Sequence, residues 1–373
     1  ASLRDAHTRL VSADRYLPLE LTWLSDGLAV AAAAQTTGAR VGDEVVSIGG
    51  RSPLALLTRL RPLAPAENDQ WLRFIASEYL TRETPLRALG VAEDDASVGV
   101  ELRGADGTVR EVRLSFLDER PLFGGERPYF GWELRGGHGW FWLDACRDTS
   151  EYRRAVAEFF AAVSEAGLQT VVIDLRRNGG GQSSVDEAIL TYLPAREVAA
   201  YRYVARPSRQ ALGRFGPVAE LTQWLRGLFW DGRRAVPAPA DPTHVFGGEL
   251  IVAIGPGTFS AASDLATLLH DNGLALLVGE ATGGAPSSYG DILRFQVPSG
   301  SLTFSVSFKS FTRPDPARDP AHELTPDVPL PATIEDLRSG QDPVARWLET
   351  RPWPTVPRAP GQRALPVGEG AGS

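Results

Sequence analysis

Ser260 has the sequence surroundings that best suit nucleophilic chemistry. It lies in the stretch GPGTFSAASD (residues 255–264), after an apolar run that predicts a buried strand and before AASDLATLLHDNG, whose leucines recur at helical spacing. A serine at such a strand-turn-helix junction presents its hydroxyl from a tight turn. The free N–H groups of the first helical turn then face any negative charge that develops beside it. This arrangement suits an acyl-transfer nucleophile. Taken alone, the stretch fits an ordinary helix cap better, because serine is a preferred N-cap residue.

A glycine run, NGGG at residues 178–181, is the second chemical feature. It follows TVVIDL, a predicted buried strand. Glycines let a backbone approach a ligand closely and point N–H groups toward it. A phosphate-binding loop is disfavoured because no G-x-x-x-x-G-K pattern is present and the only lysine, Lys309, lies elsewhere. The alternative is one wall of an oxyanion hole, with a second N–H from the residue after the nucleophile.

The amino-acid composition argues against several classes of function. The 373 residues suit two domains, and 43% hydrophobic with 23% charged residues is typical of a globular protein in water. A net charge of −8 argues against a nucleic-acid or anionic-membrane partner, and no apolar run is long enough to cross a bilayer. The single cysteine, Cys146, allows no internal disulfide and is expected to be a buried small hydrophobe. Because the chain has no methionine, we expect it to be a processed product from which any signal peptide is gone.

The pattern along the chain predicts four segments. Residues 1–14 form an N-terminal segment that contains His7, in the run DAHT. Residues 15–117 predict a small, mainly β domain with a helical insertion (AENDQWLRFIASEYL). Strands and helices then alternate over residues 118–345, which is typical of an α/β layered core. The Pro/Gly-rich stretch 346–373 predicts a disordered tail.

Part of the small domain resembles a PDZ domain. The stretch GARVGDEVVSIGG is similar to the core of a PDZ domain in a permuted bacterial arrangement. The resemblance implies a peptide-carboxylate loop near Tyr16, Leu17 and Leu19, where backbone N–H groups hold a peptide terminus and add it as a strand. Pro18 has no N–H to offer at this loop. The module is therefore expected either to bind peptides there or to serve as a spacer or lid.

Three separate stretches together resemble one family. DAHTRL, IDLRRNGGG and GPGTFSAASDLATLLHDNGLALLVGEATGG are similar, in this order, to the serine peptidases that include C-terminal processing (tail-specific) proteases and the core of tricorn protease. The resemblance spans about residues 5 to 330. It implies an α/β fold, with a layered crotonase/ClpP-like catalytic core in which helices pack on a β-sheet, and a PDZ-like domain beside it. The resemblance also favours Ser260 as a nucleophile over Ser260 as an ordinary helix N-cap, although one residue can fill both roles.

The resemblance also bears on the general base. Tail-specific members use a lysine in the loop after G-E-x-T, but this loop reads GEATGGAPSSYGD and carries Ala285 near the matching position. An alanine cannot accept a proton. Lys309, in the alternating run SVSFKSF, is expected to face solvent. The tricorn-like branch instead uses a serine and a histidine, and its histidine matches His7, although the serine that precedes the histidine there is Ala6 here. His322 remains a competing base.

The carboxylate that orients the histidine falls late in the family's pattern. Here the matching stretch is HELTPDVPL, so Glu323 is the candidate. Its spacing to Pro-Asp is shorter than the pattern predicts. This leaves three aspartates open as alternatives: Asp319, Asp327 and Asp291.

The expected function is a serine endopeptidase that uses Ser260, His7 and Glu323. The N–H groups of Gly180 and Ala261 would hold the oxyanion, and no metal or organic cofactor is expected. The expected partners are peptides or unfolded protein, and the sequence carries no signal for an oligomeric state. Family habit implies an extracytoplasmic location. Two alternatives stay open: a non-catalytic protein that binds a hydrophobic ligand or a peptide, and a crotonase-like acyl-thioester enzyme that would need neither Ser260 nor His7.

Overall fold

The structure is a computed structural model, which describes residues 5–11, 14–92, 97–123, 127–206, 208–211, 232–300, 303–318 and 322–351. The N-terminal segment carries one short strand, β1 (Leu10–Val11). Among the described residues, no helix is both long and apolar enough to span a membrane.

Over its described residues, the small module has a five-stranded antiparallel sheet and three α-helices. Its strands follow the order β2-β3-β4-β5-β6, which leaves β2 at an edge. The elements are β2 (Leu19–Leu24), β3 (Gly27–Ala33), β4 (Glu44–Ile48), α1 (Pro53–Leu60), α2 (Asp69–Tyr79), α3 (Glu83–Ala88), β5 (Ser97–Arg103) and β6 (Val109–Ser115). Leucines and valines of the sheet and of all three helices form one buried cluster. The predicted helical insertion is therefore part of the module's own core.

The remainder of the described chain forms the larger α/β core. Its elements are β7 (Phe130–Arg135), β8 (His138–Leu143), α4 (Ser150–Glu165), β9 (Thr170–Asp174), α5 (Val185–Leu190), β10 (Glu197–Ala199), β11 (Arg202–Ala205), β12 (Arg233–Ala235), β13 (Glu249–Ile254), α6 (Ala261–Asp271), β14 (Leu276–Gly279), β15 (Ser288–Gln296), β16 (Thr303–Thr312), β17 (Val328–Pro329), α7 (Ile334–Ser339) and α8 (Pro343–Thr350).

A six-stranded sheet, in the order β17-β14-β13-β9-β8-β7, is the centre of this core. All neighbouring strands are parallel except the β7–β8 hairpin. Strands β9 and β13 are continuous apolar runs because helices cover both faces of a parallel sheet. Helices α4, α5 and α6 pack on one face, whereas Val344 and Leu348 of α8 pack on the other. The layered α/β fold with a PDZ-like β module confirms the predicted fold class.

A second sheet brings the N-terminal segment to the core. Strand β16 pairs with β15, with β11 and with β1, so Leu10 lies opposite Phe304 and Val11 opposite Thr303. This pairing fixes the residues just before β1, among them His7, over the carboxyl end of the central sheet.

The C-terminal helices differ from the prediction at one boundary. Helix α8 continues to Thr350, beyond the boundary predicted at residue 345, because its apolar side is buried on the central sheet. The rest of the predicted tail, residues 352–373, lies outside the described residues. Helix α7 joins the two domains, since the Ile334 N–H donates to the Asp26 carboxylate and Arg338 donates to the Gly42 carbonyl of the module.

Candidate active site

Ser260 occupies a strained turn between β13 and α6. Its backbone adopts φ 53° and ψ −130°, a conformation that L-residues rarely adopt. The turn is held by Thr258, whose hydroxyl accepts from the Gly255 N–H at 3.0 Å and donates to the Leu175 carbonyl at 2.9 Å. Ser260 stands at the N-cap of α6, but its side chain makes no capping hydrogen bond. Its Oγ lies 3.1 Å from Nε2 of His7 instead.

Glycines allow the neighbouring loop to pack directly on this turn. A Cβ on Gly284 would lie 3.0 Å from the Ser260 nitrogen and 2.9 Å from the Ser263 Cβ. The Gly284 N–H donates to the Thr258 carbonyl at 3.0 Å, and its carbonyl accepts from the Ser263 hydroxyl at 3.0 Å. The strained conformation of Ser260 is therefore supported on two sides by a buried hydrogen-bonded loop.

His7 is positioned by the turn that its own segment forms. The Asp5 carboxylate accepts from the His7 N–H at 3.0 Å, from the Thr8 hydroxyl at 2.5 Å and from the Ser307 hydroxyl of β16 at 2.9 Å. Ser305 of β16 also donates to the His7 carbonyl at 2.5 Å. The DAHT run is thus an Asx-type turn tied to a strand, which is a local signal that the sequence contained.

Two carboxylates lie next to the second ring nitrogen of His7. Nδ1 of His7 is 3.7 Å from Oε1 of Glu67 and 3.8 Å from Oδ1 of Asp5. Glu323, the predicted partner, is described and half-buried but forms no ion pair with His7 within 4 Å. The role of Glu323 therefore stays a prediction that these contacts do not support, and a carboxylate of the small module lies beside the imidazole.

The alternative acids and bases have other partners. Asp327 accepts from the Leu277 N–H and contacts His270, and Asp319 lies outside the described residues. Asp291 pairs with Lys309 at 2.5 Å. The Lys309 side chain is only 10% exposed, so it does not face solvent as expected. The described contacts therefore tie the two alternative aspartates and the only lysine to other groups.

The loop at residues 178–181 lies against the serine. Gly180 has φ +97°, and a Cβ on it would lie 2.7 Å from the Ser260 Cβ and 3.0 Å from the Ala261 nitrogen. The Ala261 N–H has no acceptor among the described residues. The Gly180 N–H donates at 2.8 Å to Oδ1 of Asn178, a fully buried side chain. The two predicted oxyanion donors are thus neighbours, and one of them is engaged within its own loop.

Burial shifts the pKa values of Glu67 and His7. The Glu67 side chain is 3% exposed, and this desolvation raises its pKa to about 7, although the N–H groups of Ala285 and Ala6 act in the opposite direction. Desolvation also lowers the pKa of His7, against the opposing influence of Asp5. A neutral imidazole is the form that can accept a proton from a serine.

An aromatic stack joins helix α2 to the nucleophile turn. Trp71 stacks on Phe259 with ring centroids 3.9 Å apart, and Phe259 in turn contacts the His7 ring at 4.8 Å. Phe74 stacks on the other side of Trp71 at 5.2 Å. The residue before Ser260 is therefore packed directly on the small module.

A cleft of about 580 Å³ opens between the two domains beside this stack. Strand β2 and helix α2 form its module side, and Arg176, Arg177 and Pro256 belong to its core side. Strand β2 is an edge strand of its sheet, and its residues Leu19–Leu24 line this cleft. The cleft thus has an edge strand of the module on one side and residues of the core on the other.

The predicted peptide-carboxylate loop has fewer free donors than expected. The Tyr16 N–H donates to the Leu117 carbonyl at 2.9 Å, and the Leu17 N–H donates to the Thr81 carbonyl at 2.7 Å. Pro18 has no N–H, and the side chains of Leu17 and Leu19 are buried in the module core. Peptide binding at this loop stays a prediction, for which these two N–H groups supply no support.

The donor set around His7 also has the composition of a metal site. One ligand atom each from Asp5, His7 and Glu67 lies within 4.8 Å of the other two. Imidazole nitrogen and carboxylate oxygen are common zinc ligands. The same three groups therefore suit either a hydrogen-bonded catalytic constellation or a divalent cation.

Glu67 is the site residue that the sequence analysis missed. It precedes Asn68, whose side chain accepts from the Trp71 N–H and begins α2. Nothing local distinguishes a glutamate before an N-cap from a surface residue. Its contact with His7 follows from the docking of two domains, which no spacing in the chain predicts.

Comparisons with known proteins agree with this fold. The model of a protein family, described as peptidase family S41, matches residues 144–330, which is half of the chain. No curated protein is significantly similar to the chain. Mature CPAF is similar in structure, with a TM-score of 0.70 and 19% identity over 93% of this chain and 84% of that one. Its complex with lactacystin gives 0.69 with the same identity and coverage. The photosystem II D1 C-terminal processing protease has 19% identity over 94% of this chain and 83% of that one, but its TM-score is only 0.43.

Proposed function

Because the chain belongs to peptidase family S41 and is a serine-type peptidase, we propose that Ser260 is its nucleophile and His7 its general base. One observation carries the proposal: the Ser260 Oγ lies 3.1 Å from Nε2 of His7, on a strained turn that gives the hydroxyl no capping bond. A nucleophile and a base within hydrogen-bond reach are what acyl transfer requires.

In the proposed reaction, Nε2 of His7 takes the Ser260 proton while Oγ attacks a peptide carbonyl. The tetrahedral oxyanion accepts a hydrogen bond from the Ala261 N–H, and the Gly180 N–H joins when it turns from Asn178 toward the stronger acceptor. His7 then gives the proton to the leaving amine. Water enters, and the reverse proton transfers hydrolyse the acyl-enzyme. No step of this proposed reaction requires a metal or an organic cofactor.

The proposed substrate is an extended, unstructured peptide segment that lies in the interdomain cleft. The outward edge of β2 (Leu19–Leu24) offers backbone hydrogen bonds to an added strand. The cleft is lined by groups of both charges, among them Arg73 and Arg177 and the carboxylates of Glu20, Glu78 and Glu280. Binding along the strand edge does not need the N–H groups of Tyr16 and Leu17. We keep the predicted extracytoplasmic location as a proposal.

The two other functions make different demands on the site. A non-catalytic ligand-binding protein has no need for a contact between Ser260 and His7, and a crotonase-like acyl-thioester enzyme needs neither residue. The strained serine conformation favours the peptidase, because backbone strain clusters at active sites. It persists there only where the surrounding structure supports it.

The test is covalent labelling of the intact chain by a fluorophosphonate, measured as the mass of the whole protein. We expect one adduct on the unmutated protein, none on Ser260→Ala, and at least a 100-fold slower reaction for His7→Ala. Ser164→Ala and His244→Ala, which change residues that line a separate pocket, are matched controls that should label normally. Lactacystin, which is bound in a structure of mature CPAF, serves as a second probe. If the unmutated protein takes up no adduct and cleaves no unfolded protein, the nucleophile assignment fails.

A further inference from the structure

Two carboxylates compete for Nδ1 of His7, and their hydrogen bonds distinguish them. The proton on Nδ1 must find an acceptor when Nε2 serves as the base, because the neutral ring carries a single N–H. Oδ1 of Asp5 already accepts from the His7 N–H and from Ser307, and its Oδ2 accepts from Thr8. Asp5 is therefore committed to the turn that holds His7.

Glu67 is in the opposite situation. Its Oε2 accepts from the Ala285 N–H at 2.9 Å, but its Oε1 is buried and has no hydrogen-bond partner. Nδ1 of His7 is likewise buried without a partner, and the two atoms are 3.7 Å apart. Two buried, unsatisfied and complementary atoms that face each other need only a small closing movement to form a charge-assisted hydrogen bond.

We propose that Glu67, supplied by the PDZ-like module, is the positioning residue that holds the His7 tautomer and stabilises its positive charge during acyl transfer. This inference rests on the proposed function. It makes the small module a structural part of the catalytic centre, beyond any role in binding substrate.

The surroundings of Glu67 show how the module reaches the core. Asn68, the next residue, donates from its side-chain nitrogen to the carbonyls of Thr282 and His322 at 3.1 and 3.0 Å. Trp71, one helical turn along, stacks on Phe259 beside the nucleophile. The segment that follows Glu67 is therefore attached to the core at two points, Asn68 and Trp71. Such attachment gives a positioning group the rigidity that it needs.

The position of Ala285 supports the same assignment. Its N–H donates to Oε2 of Glu67 at 2.9 Å, and its side chain is buried. The loop after β14 therefore holds the Glu67 carboxylate by its backbone.

The test compares Glu67→Gln with Glu67→Asp, Asp5→Asn and Glu323→Gln in the full chain, with cleavage of an unfolded protein and fluorophosphonate labelling as readouts. Glutamine keeps the size and the acceptor for the Ala285 N–H but cannot stabilise an imidazolium. We expect kcat to fall about 100- to 1,000-fold with KM nearly unchanged. Glu67→Asp should retain more activity than Glu67→Gln. A loss of kcat in Glu323→Gln that exceeds the loss in Glu67→Gln would overturn the assignment of Glu67. Asp5→Asn is expected to raise KM or weaken folding, since it loosens the turn.

A spectroscopic readout separates positioning from structural support. In the unmutated protein, the proton on Nδ1 of His7 should give a downfield proton resonance that Glu67→Gln removes or moves upfield and Glu323→Gln leaves unchanged. If Glu67→Gln labels and cleaves at the unmutated rate while Ser260→Ala does neither, the inference about Glu67 is wrong and the proposed function stands. If the unmutated protein neither labels nor cleaves, the proposed function itself fails. If Glu67→Gln does not fold, the resonance in the unmutated protein and the activity of Glu67→Asp decide the question.

Discussion

The burial of Glu67 is expected to lower the free energy of unfolding at alkaline pH. Replacing this glutamate by glutamine removes a carboxyl group whose side chain is 3% exposed and whose Oε1 has no hydrogen-bond partner. We expect Glu67→Gln to be more stable than the unmutated protein at alkaline pH and about equally stable near pH 4.5. The same change that slows catalysis should therefore strengthen the fold.

The magnitude follows from the pKa of Glu67. Burial raises this pKa from its ordinary 4.5 to about 7. The folded state therefore holds the proton up to a higher pH than the unfolded state, and stability is lost as pH rises from 4.5 through about 7. The difference between the two pKa values corresponds to about 3 kcal/mol in the free energy of unfolding. This stabilisation is fully lost above pH 7. Asp5, His7 and Asp264 are the titratable groups around this carboxyl. They remain in both proteins, so the comparison isolates Glu67.

The assay is urea unfolding of the unmutated protein and of Glu67→Gln, followed by tryptophan fluorescence at pH 5 and pH 8. The free energy of unfolding of Glu67→Gln should exceed that of the unmutated protein by about 2–3 kcal/mol at pH 8, and the excess should shrink at pH 5. If Glu67→Gln is equally or less stable at pH 8, this carboxylate is not desolvated in solution and the reasoning is refuted.

Three further predictions concern other parts of the site. Gly180→Ala should lower kcat at least about 100-fold while the protein stays folded, since a Cβ there would lie 2.7 Å from the Ser260 Cβ; an active variant would show that the loop moves freely. Ser305→Ala removes the donor to the His7 carbonyl and should cost about 1 kcal/mol in the free energy of unfolding, together with a several-fold loss of kcat. Added Zn²⁺ should inhibit by binding beside His7, whereas EDTA should leave activity unchanged; inactivation by EDTA would instead indicate a required metal.

Much of the fold could be predicted because its signals are local. The apolar runs of β9 and β13 and the helical spacing after Ser260 follow from periodicity, and periodicity reports the burial of one strand or helix. The turn around Ser260 could be placed because glycines and proline surround it. The serine conformation itself was not predictable, since the strain depends on the loop that carries Gly284.

The sequence by itself determined the α/β class, the glycine loop and the pairing of a serine with an N-terminal histidine by family resemblance. Only the tertiary structure decided which carboxylate stands beside that histidine. Glu323 follows a family pattern in the chain, but Glu67 lies at the contact between two domains. That contact forms because Trp71 and Phe259 bury each other and Asn68 bonds to the core. This contact between the domains depends on packing between segments far apart in the sequence. It therefore cannot be predicted from the spacing of residues along the chain.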